Sequence, residues 1–293
     1  YRDGLVVESK DLDVHLGPQE SGTFEVFGAR KEPGEYLLGI SVLKDGQEVA
    51  SDQFLLGGSP DLESPSLAGG KLSVTEDNGT ITVSGKDVSV VYDKNLCALS
   101  SYKVRGQEYF DGGFGIRPSF WRGPTDNDYG CKLPLRMQVW RQSAKEPKAV
   151  AEVKDSGADV CLSVRYSLVA GNVCTITYQI HPSGVIDVRM HLTAAAEGVP
   201  SYPRIGVRFR MPGKSFDQLS YYGRGPEENY CDRNNATQVG IYETRASEMY
   251  YPYVRPQENG HHTDTRQLIL GKKNPLEIRY GSAPFEFNAL RAS

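Results

Sequence analysis

Short runs in which apolar and polar residues alternate follow one another along most of the chain. "GTFEVF" (22–27) and "EYLLGISVLKDGQEVASDQFLL" (35–56) come first. "GTITVSG" (79–85), "DVSVVYD" (87–93), "DVCLSVRYSLV" (159–169), "VCTITYQIH" (173–181), "VIDVRMHLT" (185–193) and "RIGVRFRM" (204–211) continue the series. A period of two puts successive side chains on opposite faces of a strand, so these runs predict antiparallel sheets with one face buried. In "VIDVRMHLT", Asp187, Arg189 and His191 share one face while Val188, Met190 and Leu192 share the other. The Asp45-Gly46 step suits the positive φ angles of a tight hairpin and predicts that 35–56 folds back on itself there. No sustained 3.6-residue period and no strand-helix alternation is present, which excludes a Rossmann domain or a (β/α)8 barrel. The fold class expected is all-β.

The alternation stops at "GGSPDLESPSLAGG" (57–70), which is rich in Gly, Ser and Pro and has the composition of a linker. The expected organisation is therefore a small β-sandwich over 1–57, a linker over 58–70 and a larger antiparallel sandwich over 71–293. With 39% apolar residues, the 293-residue chain can bury substantial cores. Lys and Arg number 33 against 37 Asp and Glu, which gives no electrostatic footprint for nucleic acid or an anionic membrane. No apolar run approaches the ~20 residues that span a bilayer. The opening "YRDGLVVESK" lacks the basic start and apolar stretch of a signal peptide. A soluble protein is expected. Five cysteines (97, 131, 161, 174, 231) form no CxxC pair and are odd in number, which argues for reduced structural thiols over disulfides or a zinc site.

Three polar clusters are candidates for chemistry. In "FWRGPTDNDYG" (120–130), an extended chain would put Asp126 and Asp128 on one face at a spacing that glycosidase carboxylates use. Asx side chains after a proline equally lock turns by bonding nearby amides, and that is the expected role. Counted from Asp126 as a calcium loop, the fifth and twelfth positions are Gly130 and Met137, which cannot supply carboxylates. "YYGRGPEENYCDRNNA" (221–236) mixes tyrosines with Glu227, Glu228, Asn229, Asp232 and Arg233. It fits either a sugar-facing surface or a buried network pinning a loop. Its "GRG" lacks the lysine of a phosphate loop. "YYPYVRPQENGHHTDTRQL" (250–268) holds Glu258, His261, His262 and Asp264; adjacent histidines in an extended segment point to opposite faces and do not share a metal. Glu258-Asn259-Gly260 reads as a turn or bulge entering the strand "DTRQLIL", with Asn or Gly at positive φ. His181 and His191 fall within strand patterns and are expected to be satisfied sheet residues.

In this order, "FWRGPTDNDYG", "YYGRGPEENYCDR", "YYPYVRPQENGHHTDTRQL" and the terminal "FEFNALR" resemble the C-terminal part of the large bacterial β-galactosidases of glycoside hydrolase family 2. The resemblance runs through 71–293, and residues 1–57 resemble the immunoglobulin-like sandwich that precedes that region. It implies an immunoglobulin-like domain followed by a large sandwich of galactose-mutarotase type. A tryptophan from the end of that sandwich would come after "FEFNALRAS", so the domain is expected to be truncated here, and Trp121 and Trp140 lie elsewhere. The family's acid/base and nucleophile glutamates sit on a barrel outside this chain. Glu227, Glu228 and Glu258 match sandwich positions instead, so no catalytic residue is expected in this segment, which should be inactive alone. The loop at Gly130, Cys131 and Lys132 is implied to border the active-site mouth. The expected loop-bracing network comprises Arg122, Asp126, Asn127, Asp128, Glu228, Asn229, Asp232, Arg233, Glu258 and Asn259. No metal or cofactor is expected in this segment, although the family's catalytic domain commonly uses Mg and Na. Expected partners are the rest of the polypeptide, above all the barrel, a β-galactoside through the intact enzyme, and further copies in a homo-oligomer, with no nucleic acid or membrane. The compartment would be bacterial cytoplasm or periplasm. Two other functions fit the residues: a mutarotase-like isomerase pairing His181 or His261 with Glu258, and a carbohydrate-binding module using the aromatics.

Overall fold

The computed structural model describes residues 1–26, 32–145, 147–193 and 198–291. Strand outweighs helix by 43% to 7%, and every strand pair among the described residues is antiparallel, so the protein is all-β. By packing, the chain divides into two compact units. One comprises Tyr1–Glu63, Asp217–Tyr251 and Asn259–Ser293; the other comprises Ser64–Phe216 and Pro252–Glu258.

In the first unit, Tyr36–Lys44 and Gln47–Gly57 form a two-stranded hairpin. Asp45 and Gly46 take φ values of 52° and 77°, the doubly positive turn whose twist matches its strands. A four-stranded sheet runs in the order Gln238–Arg245, Gln218–Gly225, Gln267–Leu270, Leu276–Arg279. His261–Thr265 pairs separately with Phe285–Asn288. Gly260 enters this pair at φ 67°, and a Cβ there would lie 2.7 Å from the Met249 carbonyl, so only glycine fits.

Two meanders dominate the second unit. One orders Ser73–Glu76, Thr80–Ser84, Val88–Asp93, Ala98–Val104 and Gln107–Glu108; the other orders Ile186–Thr193, Val173–Ile180, Asp159–Ser167 and Lys148–Ser156. Their alternating inward residues make one core. Ile81, Val83, Val88, Val90 and Tyr92 meet Leu162, Val164, Tyr166, Ile176 and Tyr178 in it, as two sheets packed face to face require. Deep burial drives the Tyr166 and Tyr178 phenols far above their usual value, and the Tyr166 hydroxyl donates to the Cys97 carbonyl at 2.8 Å. All five cysteines are free thiols.

Three expectations need correction. Residues 22–26 of "GTFEVF" form no strand, because no strand among the described residues pairs with them; Phe27 lies outside the described residues. "RIGVRFRM" shortens to Gly206–Arg208, paired with Arg117–Ser119. "DTRQLIL" is broken at Arg266, whose side chain turns inward to Glu35, so the residues on either side join different sheets. No helix among the described residues is long and apolar enough to cross a membrane.

Candidate functional site

The first cluster is helical, whereas the carboxylate-pair alternative required an extended chain. Asp126–Gly130 forms one short turn of helix, capped reciprocally: the Thr125 hydroxyl accepts from Asp128 N at 3.4 Å, and Asp128 Oδ2 accepts from Thr125 N at 2.8 Å. Positions two apart on a helix are about 200° apart, so the two aspartates diverge. Asp128 is buried and grips Arg122 with both oxygens, at 3.0 and 2.8 Å. Asp126 is exposed and meets Arg255 at 3.0 Å. They do not form a carboxylate pair around a ligand. Asn127 is exposed, and its carbonyl accepts from Cys131 N at 3.0 Å.

Gly130, Cys131 and Lys132 are exposed at the end of this turn. Lys132 adopts a left-handed φ of 58° and leads into a second short helix, Leu133–Arg136, anchored by buried Leu133. A third helix, Gln138–Lys145, buries Trp140 completely. The Trp140 indole donates to the Pro200 carbonyl at 2.9 Å and stacks on Tyr202 with centroids 3.9 Å apart. The segment 120–130 is tied from a distance by Glu258, which accepts from Gly123 N at 3.0 Å and pairs with Arg204.

The second cluster and the part of the third from Asn259 onward interlock within the other unit. Asn229 is fully buried and uses its whole amide: Nδ2 donates to the carbonyls of Arg224 and Glu227, both at 3.0 Å. Its Oδ1 accepts from Thr263 N at 2.9 Å and from the Thr263 hydroxyl at 2.7 Å. Glu228 accepts from Gly260 N and from Arg233, both at 2.7 Å. Asn259 is buried, and its carbonyl accepts from Asn288 Nδ2 at 2.8 Å. Asp232 is exposed and bonds to no described side chain.

The histidines are held individually. His261 stacks on Tyr230 and contacts Asn288 at 3.1 Å and Glu286 at 3.0 Å. His262 packs on Tyr221 and Phe287, and its Nδ1 donates to the Arg224 carbonyl at 3.1 Å. Burial pushes its imidazolium below the usual range, so the ring is neutral at pH 7. No group of three or more ligating side chains among the described residues could hold a metal ion.

In the core-bearing unit, His181 lies between Asp159 at 3.1 Å and Asp187 at 3.0 Å. Burial opposes its charge, but bonds from Asp187 and Asp159 outweigh that and raise its pKa above 6.5. A raised folded value contributes stability fully below the ordinary pKa and loses it as pH rises through the raised one. The stability advantage of wild type over His181→Gln is therefore expected to be largest at pH 5 to 6 and to shrink through neutral and mildly alkaline pH. Denaturation midpoints across that range measure it; a constant difference would rule the linkage out.

Sequence reading missed Arg204, Arg224 and Thr263, the partners that hold Glu258, Asp264 and Asn229. Each lies tens of positions from its partner, so no local spacing marks it.

The family described as "Beta galactosidase small chain" matches residues 84–293. Proteins named Beta-galactosidase resemble the chain almost end to end. That of Priestia megaterium is 35% identical across 99% of this chain, that of Streptococcus thermophilus 29% across 100%, and that of Halalkalibacterium halodurans 28% across 92%. The chain spans only 29%, 29% and 28% of their lengths. By the extent of that match, the chain belongs to the beta-galactosidase small chain family.

Proposed function

We propose that this chain is a non-catalytic portion of a β-galactosidase whose intact polypeptide hydrolyses terminal β-D-galactosides with retention of configuration. The observation that carries the reading is the near end-to-end likeness to proteins of that name over less than a third of their length. The chemistry of the motifs is consistent with it. Retaining hydrolysis needs one carboxyl free to exchange a proton and another free to attack the sugar. Asp128, Glu228 and Glu258 are each committed to an arginine and a backbone amide.

In this reading residues 1–57 belong to an immunoglobulin-like sandwich, 58–70 link it to the large sandwich, and the barrel on the rest of the polypeptide supplies the glutamates and any Mg and Na sites. The lack of helix or strand across 58–69 supports the linker. Gly130, Cys131 and Lys132 border the active-site mouth, and the braces at Asp128 and Glu258 keep that loop in place. Further copies of the polypeptide complete a homo-oligomer.

The test is a chromogenic β-galactoside assay of this chain and of its full-length parent. The chain alone is expected to give no turnover and the parent to hydrolyse the substrate; turnover by the chain alone would refute the reading. In the parent, Glu258→Gln is expected to lower kcat/KM about tenfold or more, because small displacements of a positioning loop are costly. An unchanged kcat/KM would remove the rim role while leaving the rest standing.

A further inference from the structure

One cationic cluster lies outside every network above. Arg117–Ser119 pairs with Gly206–Arg208 in a register that sets Arg117 directly opposite Arg208. Like charges directly opposed across a sheet disfavour pairing. Arg210 joins them, because its amide donates to the Phe114 carbonyl at 2.8 Å. All three guanidinium groups gather about the Phe114 ring, at 3.7 Å from its centroid for Arg117, 5.3 Å for Arg210 and 5.5 Å for Arg208.

The ring attracts these cations but neutralises none of them. Arg117 reaches the Gly115 and Gly113 carbonyls only at 3.5 Å. In the bracing networks the arginines meet carboxylates, as Arg122 meets Asp128 and Arg266 meets Glu35. Among the described residues no carboxylate lies within ion-pair distance of Arg117, Arg208 or Arg210. Burial, with the added charge of Arg208, pulls the Arg117 pKa below its usual value, the direction expected of a cation without a counter-charge.

We propose that Arg117, Arg208 and Arg210, gathered about Phe114, form a binding site for a multiply charged oxyanion, a phosphate group or a compact polycarboxylate. Guanidinium forks match the oxygens of either group bidentately. A single negative charge would leave most of the local positive charge standing, which favours a dianion or trianion. The site requires nothing of the galactosidase reading and stands or falls separately from it.

The experiment titrates this chain with inorganic phosphate and, separately, with citrate, each against sodium chloride at equal ionic strength. It follows the arginine Nε–Hε resonances and the unfolding midpoint. A saturable shift confined to the three arginines, absent with chloride, is expected from phosphate or citrate. Arg208→Gln is expected to weaken it about tenfold, the loss of one charged hydrogen bond. Saturation by phosphate alone supports a phosphate-bearing ligand, and saturation by citrate alone a polycarboxylate.

In anion-free buffer, Arg208→Gln should unfold no earlier than wild type, since it removes a repulsion. Three results overturn the proposal: responses that track chloride, unchanged affinity in Arg208→Gln, or early unfolding of that variant without anion. The last would mark Arg208 as a structural partner instead of an uncompensated charge.

Discussion

Replacing Glu35 by Gln is expected to destabilise the unit that carries it by about 3–5 kcal/mol, the usual cost of leaving one partner of a buried ion pair uncompensated. Both side chains are 6% exposed. The Glu35 carboxylate receives Arg266 Nε at 2.9 Å and Arg266 Nη2 at 2.8 Å, and the Tyr222 hydroxyl also donates to it. Burial, and then the Glu35 carboxylate, drives the Tyr222 phenol far above its ordinary pKa, so it remains a donor. A glutamine at this position would keep the shape and lose the charge, and its amide hydrogens would face the guanidinium.

The double variant Glu35→Gln/Arg266→Met should recover most of the loss, because the penalty belongs to the orphaned cation. Denaturant midpoints of the two variants separate these contributions. A loss under about 1 kcal/mol in the single variant would mean that solvent reaches Arg266 and screens its charge.

Asn229→Ala is expected to cost about 3 kcal/mol, because it takes the acceptor from the buried Thr263 amide and hydroxyl and a donor from two carbonyls, and each buried group left unmade costs roughly 1–3 kcal/mol. The Glu227 carbonyl would lose the Nδ2 donor, the Arg224 carbonyl would keep only His262 Nδ1, and Thr263 N would lose its acceptor. Asn229→Asp distinguishes this cause from lost volume. Aspartate is nearly isosteric, but it cannot donate to two carbonyls and would bury a charge beside them. It should therefore be at least as damaging as alanine. Were Asn229→Asp as stable as wild type by chemical denaturation, the donor role assigned to Nδ2 would be wrong.

The parts of the molecule that could be read in advance share one property: cause and effect lie close together in the chain. The Asp45-Gly46 hairpin was legible because its φ angles are a local demand. The core strand Val173–Ile180 was legible because its period of two is the burial pattern itself. Thr125 and Asp128 are three positions apart, so their capping is a local demand of the same kind as the amide bonds expected of these Asx side chains; only the carboxylate-pair alternative needed an extended chain. The helix separates Asp126 from Asp128 and ends the idea of a carboxylate pair. Glu258 and Arg204 are 54 positions apart and Glu35 and Arg266 are 231 apart, so no window on the sequence connects them.

By itself, then, the sequence determined an all-β class, its main strands and hairpin turn, and through its ordered motifs the family. These rest on side-chain periodicity and turn chemistry, which act over a few residues. Tertiary structure alone decided which carboxylates are spent on braces, that residues 22–26 form no strand and that Arg266 breaks its strand to reach Glu35. It also decided that three arginines meet around one phenylalanine without a counter-charge. Each of these outcomes depends on which distant segments fold against one another. Burial then makes that choice expensive to reverse, because a polar group removed from water must find its partner wherever the fold has placed it.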